Sequence, residues 1–293
     1  MNALPRIPLP LLYAVGWFVY FTVFHVVRWR RNQVANDIAR AFPEMPAVER
    51  AEIVRRSYRN LVDVVMEALW GISASADELK QRVAFENPES IERAIVAKQS
   101  LVLLAPHFCN WEWLLLAGGA RFGMPIDAVV QRQRFAAVDR FLRDVRSRFG
   151  GKPIPREDFI YELMSRVGTP RAYALIADQT PPRDAKKHWT RLLNRDTAFF
   201  VGAEKVARFL DAPVLYVGMR RVRRGHYAVS LSALATPPYK SEAEGDGPPI
   251  MELFARQLET AVEESPADWL WVQKRWKYPK PAESEGAVRR RRP

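Results

Sequence analysis

The sequence predicts an α/β protein with a mostly parallel sheet flanked by helices, preceded by a transmembrane or membrane-anchoring helix. Short continuous apolar runs alternate along the chain with segments of helical character, the pattern of a buried parallel sheet. The first 30 residues contain a separate feature, a run without formal charge at positions 9–27. At about 1.5 Å per residue, a helix over this run matches the hydrocarbon thickness of a bilayer.

Composition limits the classes of protein. The chain has 293 residues, a formal net charge of +12 and 48% hydrophobic residues, which excludes a mainly disordered protein. The mean hydropathy is slightly negative, so most of the chain does not consist of membrane spans. The single cysteine, Cys109, excludes an internal disulfide and a zinc site built on cysteines.

Several common motifs are absent from the sequence. It has no Gly-x4-Gly-Lys-Ser/Thr loop, no Gly-x-Gly-x-x-Gly, no Gly-x-Ser-x-Gly and no His-x3-His pair. These absences argue against a nucleotide hydrolase, a dinucleotide-binding enzyme, a serine hydrolase and a helical two-histidine metal site. No cofactor or metal is expected.

The apolar run is predicted to be an uncleaved transmembrane helix. Only Arg6 precedes it, whereas Arg28, Arg30 and Arg31 follow it directly, so the positive-inside rule places the long C-terminal part in the cytoplasm. A cleaved signal peptide is disfavoured because positions 26–30 offer no small-residue cleavage site. A helix lying on the membrane surface remains an alternative, because Pro10, Gly16, Thr22 and His25 weaken the span.

Helices and strands follow in order. Helices are predicted over 46–70, 88–97, 111–122, 135–149, 158–167, 198–210 and 250–264. Strands are predicted over 101–105, 126–131, 172–177, 213–222 and 226–234.

The boundaries of these elements have local causes. Pro46 suits a first helical turn, Asn110 and Thr197 are N-cap residues, and Gly123 ends a helix. The segment 180–196 is predicted to be a polar, basic loop, and 237–249 a second loop rich in Pro and Gly. The last two strands are predicted to be joined by the turn 223–225.

The predicted sheet brings candidate catalytic groups to one edge. Chemistry in such sheets gathers at the carboxyl ends of strands, which is where His107, Arg132 and Asp178 fall. His107 and Glu112 form a His-x4-Glu pair across a strand-to-helix turn, so we expect the carboxylate to reach one imidazole nitrogen. That contact would fix the tautomer and favour the imidazolium.

The second nitrogen of His107 would then take a proton from an acceptor hydroxyl, and the oxygen would attack an acyl thioester. The helix N-terminus and a nearby cation would stabilise the oxyanion. Two alternatives remain open on the residues alone. His107 and Glu112 form a purely structural pair in one, and Cys109 is a nucleophile activated by His107 in the other.

The stretch 107–112 resembles the late acyltransferases of lipid A biosynthesis, the lauroyl/myristoyl transferase family of Gram-negative bacteria. Further matches agree in order and spacing over nearly the whole chain. They are the N-terminal anchor, 131–132, 177–179, 202–203 and 266–271 running into 274–277.

This resemblance implies a glycerolipid-acyltransferase-like fold and residue roles. His107 is expected to be the general base and Glu112 its orienting partner. Arg132 is expected to bind substrate or the oxyanion, and Asp178, Gln179 and Asn110 are the other expected substrate-binding residues.

The resemblance also implies the reaction and its partners. A fatty acyl chain passes from acyl carrier protein to a hydroxyl of a lipid A precursor that bears Kdo sugars, at the cytoplasmic face of the inner membrane. No nucleic acid partner is expected, because the basic surface lacks a recognition module and suits an acidic carrier protein and anionic lipids.

The chain departs from the family pattern at three places. Gln131 replaces a tyrosine, Leu192-Leu193-Asn194 replaces Phe-Phe-Gly, and Gln273 replaces a histidine. These changes leave open another glycolipid or an aminolipid as acceptor. A basic membrane-binding protein without catalysis is the alternative from a different class.

The predicted organisation has three parts. They are an anchor at 1–31, an acyltransferase domain at 32–279, and a basic, flexible tail at 280–293.

Overall fold

The computed structural model describes residues 7–239 and 249–281 and confirms an α/β fold. The helices are α1 (Leu9–Phe21), α2 (Arg31–Ala41), α3 (Ala47–Gly71), α4 (Ala76–Arg82), α5 (Glu89–Val96), α6 (Trp111–Phe122), α7 (Ala136–Arg146), α8 (Phe159–Met164), α9 (Gly202–Leu210) and α10 (Ile250–Glu264). The strands are β1 (Val83–Phe85), β2 (Leu101–Ala105), β3 (Ile126–Val130), β4 (Gly151–Pro155), β5 (Ala172–Ile176), β6 (Lys187–Leu192), β7 (Arg195–Phe200), β8 (Val214–Arg223) and β9 (His226–Ala235).

Seven strands form the central sheet in the order β1-β9-β8-β2-β5-β3-β4. Every neighbouring pair is parallel except β8 and β9, which form an antiparallel hairpin. The central strand β2 is apolar throughout because helices cover both faces of a parallel sheet. Val102 and Leu104 are fully buried there.

Helix α6 follows its sequence signals closely. It begins after Asn110, whose side-chain oxygen accepts a hydrogen bond from the backbone N–H of Trp113 at 2.9 Å. It ends at Gly123, whose φ of 64° lies in the left-handed region that glycine tolerates. Helix α10 likewise occupies the predicted residues 250–264.

The predicted loop at 180–196 and helix start at 198 are wrong. Strands β6 and β7 form a separate antiparallel hairpin over this region. Thr197 is a strand residue rather than an N-cap, and α9 begins only at Gly202. The hairpin docks on α10, where His188 contacts Glu252 at 2.7 Å, so a tertiary contact stabilises strands whose polar sequence resembles a loop.

Besides β6 and β7, four elements of the described residues were not predicted, namely α2, α4, β1 and β4. A readable signal existed for α4, because Ser75 and Glu78 form a capping box at its start. Strand β1 is only three residues long, and β4 contains two prolines at the edge of the sheet.

The predicted anchor is helical. One helix in the described part of the chain, Leu9–Val27, is long and apolar enough to cross a membrane, and it comprises α1 and a π-helical continuation. The predicted tail at 280–293 lies outside the described residues except for its first two positions, and most of the predicted loop at 237–249 lies outside them too.

Neighbouring glycines in α6 provide a matched test of this packing. A Cβ at Gly119 would lie 2.2 Å from the backbone oxygen of Phe149, whereas one at Gly118 would meet its nearest side chain, Ile126, at 3.5 Å. We expect Gly119→Ala to lower the free energy of unfolding by about 1–3 kcal/mol. Gly118→Ala should raise it by about 0.4–1 kcal/mol. Denaturant unfolding of both variants tests this, and equal effects would contradict it.

Candidate active site

Strand register brings His107 and Asp178 together. Strands β2 and β5 are parallel neighbours, with Ala105 paired to Ile176 at their carboxyl ends. His107 and Asp178 each lie two residues beyond this pair. The imidazole Nδ1 lies 2.7 Å from Asp178 Oδ1.

Asp178 is a fully buried carboxylate with three partners. Besides His107, the indole N–H of Trp269 donates to Oδ2 at 2.8 Å, and the side-chain amide of Gln273 donates at 3.0 Å. Burial by itself raises the pKa of Asp178, but the charge of His107 and these hydrogen bonds outweigh it and hold the pKa at about 2. The carboxylate is therefore ionised near neutral pH and can only accept a hydrogen bond, so Nδ1 of His107 carries the proton. In the neutral imidazole, Nε2 is then the unprotonated nitrogen.

The turn that carries His107 is held by the C-terminal segment 266–278. The backbone N–H of Leu270 donates to the His107 carbonyl at 3.0 Å, and the N–H of Cys109 donates to the Asp268 carbonyl at 2.9 Å. Cys109 adopts a φ of 51°, a left-handed conformation that costs energy outside glycine. These contacts fix the position of the imidazole.

The sequence spacing predicts a contact between Glu112 and His107, but the hydrogen bonds of the described residues join Glu112 to Arg146 and His107 to Asp178. Arg146, in the last turn of α7, donates two hydrogen bonds to the Glu112 carboxylate. Its Nε donates to Oε2 at 2.9 Å, and its Nη2 donates to Oε1 at 2.5 Å. The fork of the guanidinium matches the two carboxylate oxygens. The pKa of Arg146 is raised, because the contacts with Glu112 outweigh the opposing effect of burial.

A cavity of about 850 Å³ opens at this edge of the sheet. Its polar lining residues include His107, Glu112, Arg146 and Gln179, and most of its walls are apolar. The apolar walls come from both faces of the sheet. Strand alternation and register place Leu103 and Leu175 on opposite faces, and both side chains line the cavity.

The apolar walls fall into two groups. One group lies beneath α6 and comprises Phe85, Leu103, Leu115, Gly118, Phe122 and Ile126. The other lies beside α8 and α9 and comprises Phe159, Leu163, Met164, Phe200, Val206 and Phe209. The cavity thus has two groups of apolar lining residues, and His107 lines the same space.

The remaining predicted site residues lie elsewhere. Arg132 is half-exposed and bonded to Asp158 at 2.6 Å, and it does not line the cavity. Asn110 is fully buried, and its amide donates to Glu67 at 2.7 Å. It therefore supports the turn rather than facing a substrate.

Cys109 is a packing residue. Its thiol is 1% exposed and donates to the Met219 carbonyl at 3.3 Å. Burial raises the pKa of the thiol well above its usual value, so the reactive thiolate is disfavoured.

Sequence reasoning missed Arg146, Trp269 and Gln273 as members of the site. Arg146 had no motif to mark it. Trp269 and Gln273 lay in the C-terminal stretch that carried the family resemblance, but their contact with Asp178 requires the fold.

Comparisons with known proteins identify the family. A family model described as bacterial lipid A biosynthesis acyltransferase matches residues 1–278. The chain is also similar to a lipid A biosynthesis acyltransferase of Haemophilus influenzae, with 26% identity over 150 residues. That match covers 49% of this chain and 45% of the relative, so it spans less than half of the relative's length.

The buried carboxylate makes stability depend on pH. Its folded pKa of about 2 lies below the usual 3.8, so its contribution is complete above pH 3.8 and is lost as the pH falls through 2. We expect Asp178→Asn to remove about 2 kcal/mol of the difference in unfolding free energy between pH 5 and pH 2. Denaturant unfolding across that range measures it. The exposed Asp184→Asn control should behave as wild type, and an unchanged pH dependence in Asp178→Asn would contradict the prediction.

Proposed function

We propose that this chain, which belongs to the bacterial lipid A biosynthesis acyltransferase family, transfers a fatty acyl chain from acyl carrier protein to a hydroxyl of a Kdo-bearing lipid A precursor. One observation carries the proposal. A histidine oriented by a buried carboxylate lines an apolar cavity large enough for acyl chains.

In this proposal His107 is the general base. Its Nδ1–H donates to Asp178, and Nε2 removes the proton of the acceptor hydroxyl as the oxygen attacks the thioester carbonyl. Collapse of the tetrahedral intermediate breaks the carbon–sulfur bond, and the departing sulfur takes the proton from the imidazolium. Asp178 stabilises the imidazolium between these steps, so in this scheme the orienting role belongs to Asp178 rather than to Glu112.

Glu112 and Arg146 act as one unit at the cavity wall. The ion pair joins the first turn of α6 to the last turn of α7, with side-chain exposures of 15% and 17%. It holds a carboxylate and a guanidinium beside the reacting groups in a partly desolvated position, where their charges interact more strongly than in water. Gln179 adds a neutral polar side chain to the same wall.

The two groups of apolar lining residues suit the two lipid parts of such a reaction. We infer that one group contacts the acyl chain of the donor and the other a chain of the acceptor. Basic side chains on the exposed face of α7 would attract the acidic carrier protein. They are Arg140 and Arg143, with Arg134 just before the helix.

We place the reaction at the cytoplasmic face of the inner membrane. The apolar segment Leu9–Val27 supports a membrane location. The basic residues that follow it support the cytoplasmic side.

The first test is acyl transfer itself. Detergent-solubilised protein is incubated with acyl carrier protein carrying chains of several lengths and a Kdo-bearing lipid A precursor, and the lipid is weighed by mass spectrometry. We expect a gain of one acyl chain that falls at least 100-fold in His107→Ala. His226→Ala is the matched control, because His226 is the first residue of β9 and does not line the cavity.

Near-wild-type turnover by folded His107→Ala would contradict the proposed base. Consumption of thioester only with another glycolipid or an aminolipid would retain the chemistry and replace the acceptor.

A double-mutant cycle tests whether Glu112 and Arg146 act together. We expect Glu112→Gln and Arg146→Met each to lower kcat/KM, and the double variant to lose less than the two single losses combined. The physical reason is that each single change leaves one partly buried charge without its partner. Strictly additive losses would show that the two residues act separately.

A further inference from the structure

Helix α1 has two apolar faces, and residues 7–239 and 249–281, which the structure describes, cover only one of them. The inner face packs lengthwise on α3, with Leu12, Gly16, Tyr20 and Phe24 buried. The approach is close at Gly16, where a Cβ would lie 2.9 Å from Met66 Cγ.

The outer face of α1 is exposed and strongly apolar. Its large side chains are between 46% and 67% exposed, and they are Leu11, Val15, Trp17, Phe18 and Phe21. A contiguous apolar surface of this kind marks a contact with a partner or a membrane.

The α/β domain contacts α1 near both of its ends, and it does so with charged side chains. Near the N-terminal end, the Tyr13 hydroxyl donates to Glu67 at 2.7 Å, and the Arg224 guanidinium lies 3.7 Å from the Tyr13 ring centre. Near the C-terminal end, the Arg59 guanidinium lies 5.3 Å from the ring centre of Tyr20.

These contacts conflict with a helix that crosses the bilayer while the domain stays in water. Tyr13 lies only about 7 Å along the axis from the middle of the apolar run. An upright helix would therefore carry Arg224, whose side chain is 51% exposed, into the hydrocarbon together with Asp63 and Glu67. Charged groups at that depth are strongly disfavoured.

We propose that α1 lies in the plane of the membrane interface, clamped along α3, with its outer face in lipid and both of its ends on the domain's side of the bilayer. A helix that is apolar all round needs cover on every side. Here α3 covers the inner side, and lipid acyl chains cover the outer side.

The residues after the apolar run fit a lipid surface as the occupant. Trp29 is 43% exposed and is flanked by Arg28, Arg30 and Arg31, which suits the headgroup level of an anionic leaflet. Arg30 also donates to the Val272 carbonyl at 2.6 Å. This hydrogen bond joins the basic residues after α1 to the C-terminal segment that contacts Asp178.

Sidedness of labelling tests the orientation. The native Cys109 is buried, so the wild type serves as the blank for an impermeant maleimide. Ile7→Cys marks the start of α1, and Val96→Cys marks the domain, since these positions are 48% and 85% exposed. Both are probed in spheroplasts and in inverted membrane vesicles of a bacterium that expresses the protein.

We expect the two cysteines to be labelled in the same preparation and not in the other. Labelling in opposite preparations would overturn the proposal, as would protection of Ile7→Cys on both sides or recovery of the protein in the soluble fraction.

A matched pair of substitutions tests the clamp. Gly16→Leu would push α1 off α3, whereas Ala14→Leu places the same leucine side chain on the exposed outer face. We expect Gly16→Leu to lower the Tm of the domain and Ala14→Leu to leave it unchanged. An unchanged Tm in Gly16→Leu would overturn the proposal.

Vesicle flotation identifies what covers the outer face. We expect the protein to float with vesicles of phosphatidylethanolamine and phosphatidylglycerol. A detergent-free dimer that does not float would overturn the proposal in favour of a second copy as the cover.

The inference rests on the proposed membrane location, but labelling, Tm and flotation do not depend on turnover, so loss of the proposed activity would leave them unchanged.

Discussion

The Asp178 carboxylate is the group on which the candidate site depends. A buried charge is stable only when its hydrogen bonds are satisfied, and here the donors come from two separate parts of the chain. His107 follows β2, while Trp269 and Gln273 belong to the C-terminal segment. The same contacts that satisfy the charge therefore join the sheet edge to the C-terminal segment and set the tautomer of the imidazole.

The cavity follows from how the sheet is covered. Helix α6 lies over one face, where Gly118 approaches Ile126, and α8 lies over the other, where Phe159 packs near Tyr173. On both faces, apolar space remains between the helix and the sheet and reaches the carboxyl ends of the strands, where His107 lies. Such a space suits a reaction between two lipid-bearing substrates at one catalytic group. The ion pair of Glu112 and Arg146 places a carboxylate and a guanidinium where α6 and α7 meet.

For the N-terminal helix, composition indicates the environment and packing indicates the orientation. Its apolar sequence indicates a lipid environment, but any helix of this length and hydropathy carries the same signal. The contact between Tyr13 and Glu67 adds information that hydropathy lacks, because it ties the helix to a charged region of the domain. Membrane attachment and domain packing are then two uses of one helix, with one face for each.

The sequence by itself determined the α/β class, helices α6 and α10, the central strands and the location of His107 and Asp178 at strand ends, because periodicity and caps are local signals. The tertiary structure alone decided that Asp178 rather than Glu112 bonds His107, since this depends on the register between β2 and β5 and on the position of Arg146 in α7. It also turned the predicted loop at 180–196 into the β6–β7 hairpin, which α10 supports, and placed Arg132 and Asn110 away from the cavity. Contacts between residues far apart in sequence leave no mark in local pattern, so the fold was needed to assign the partners of His107 and Glu112.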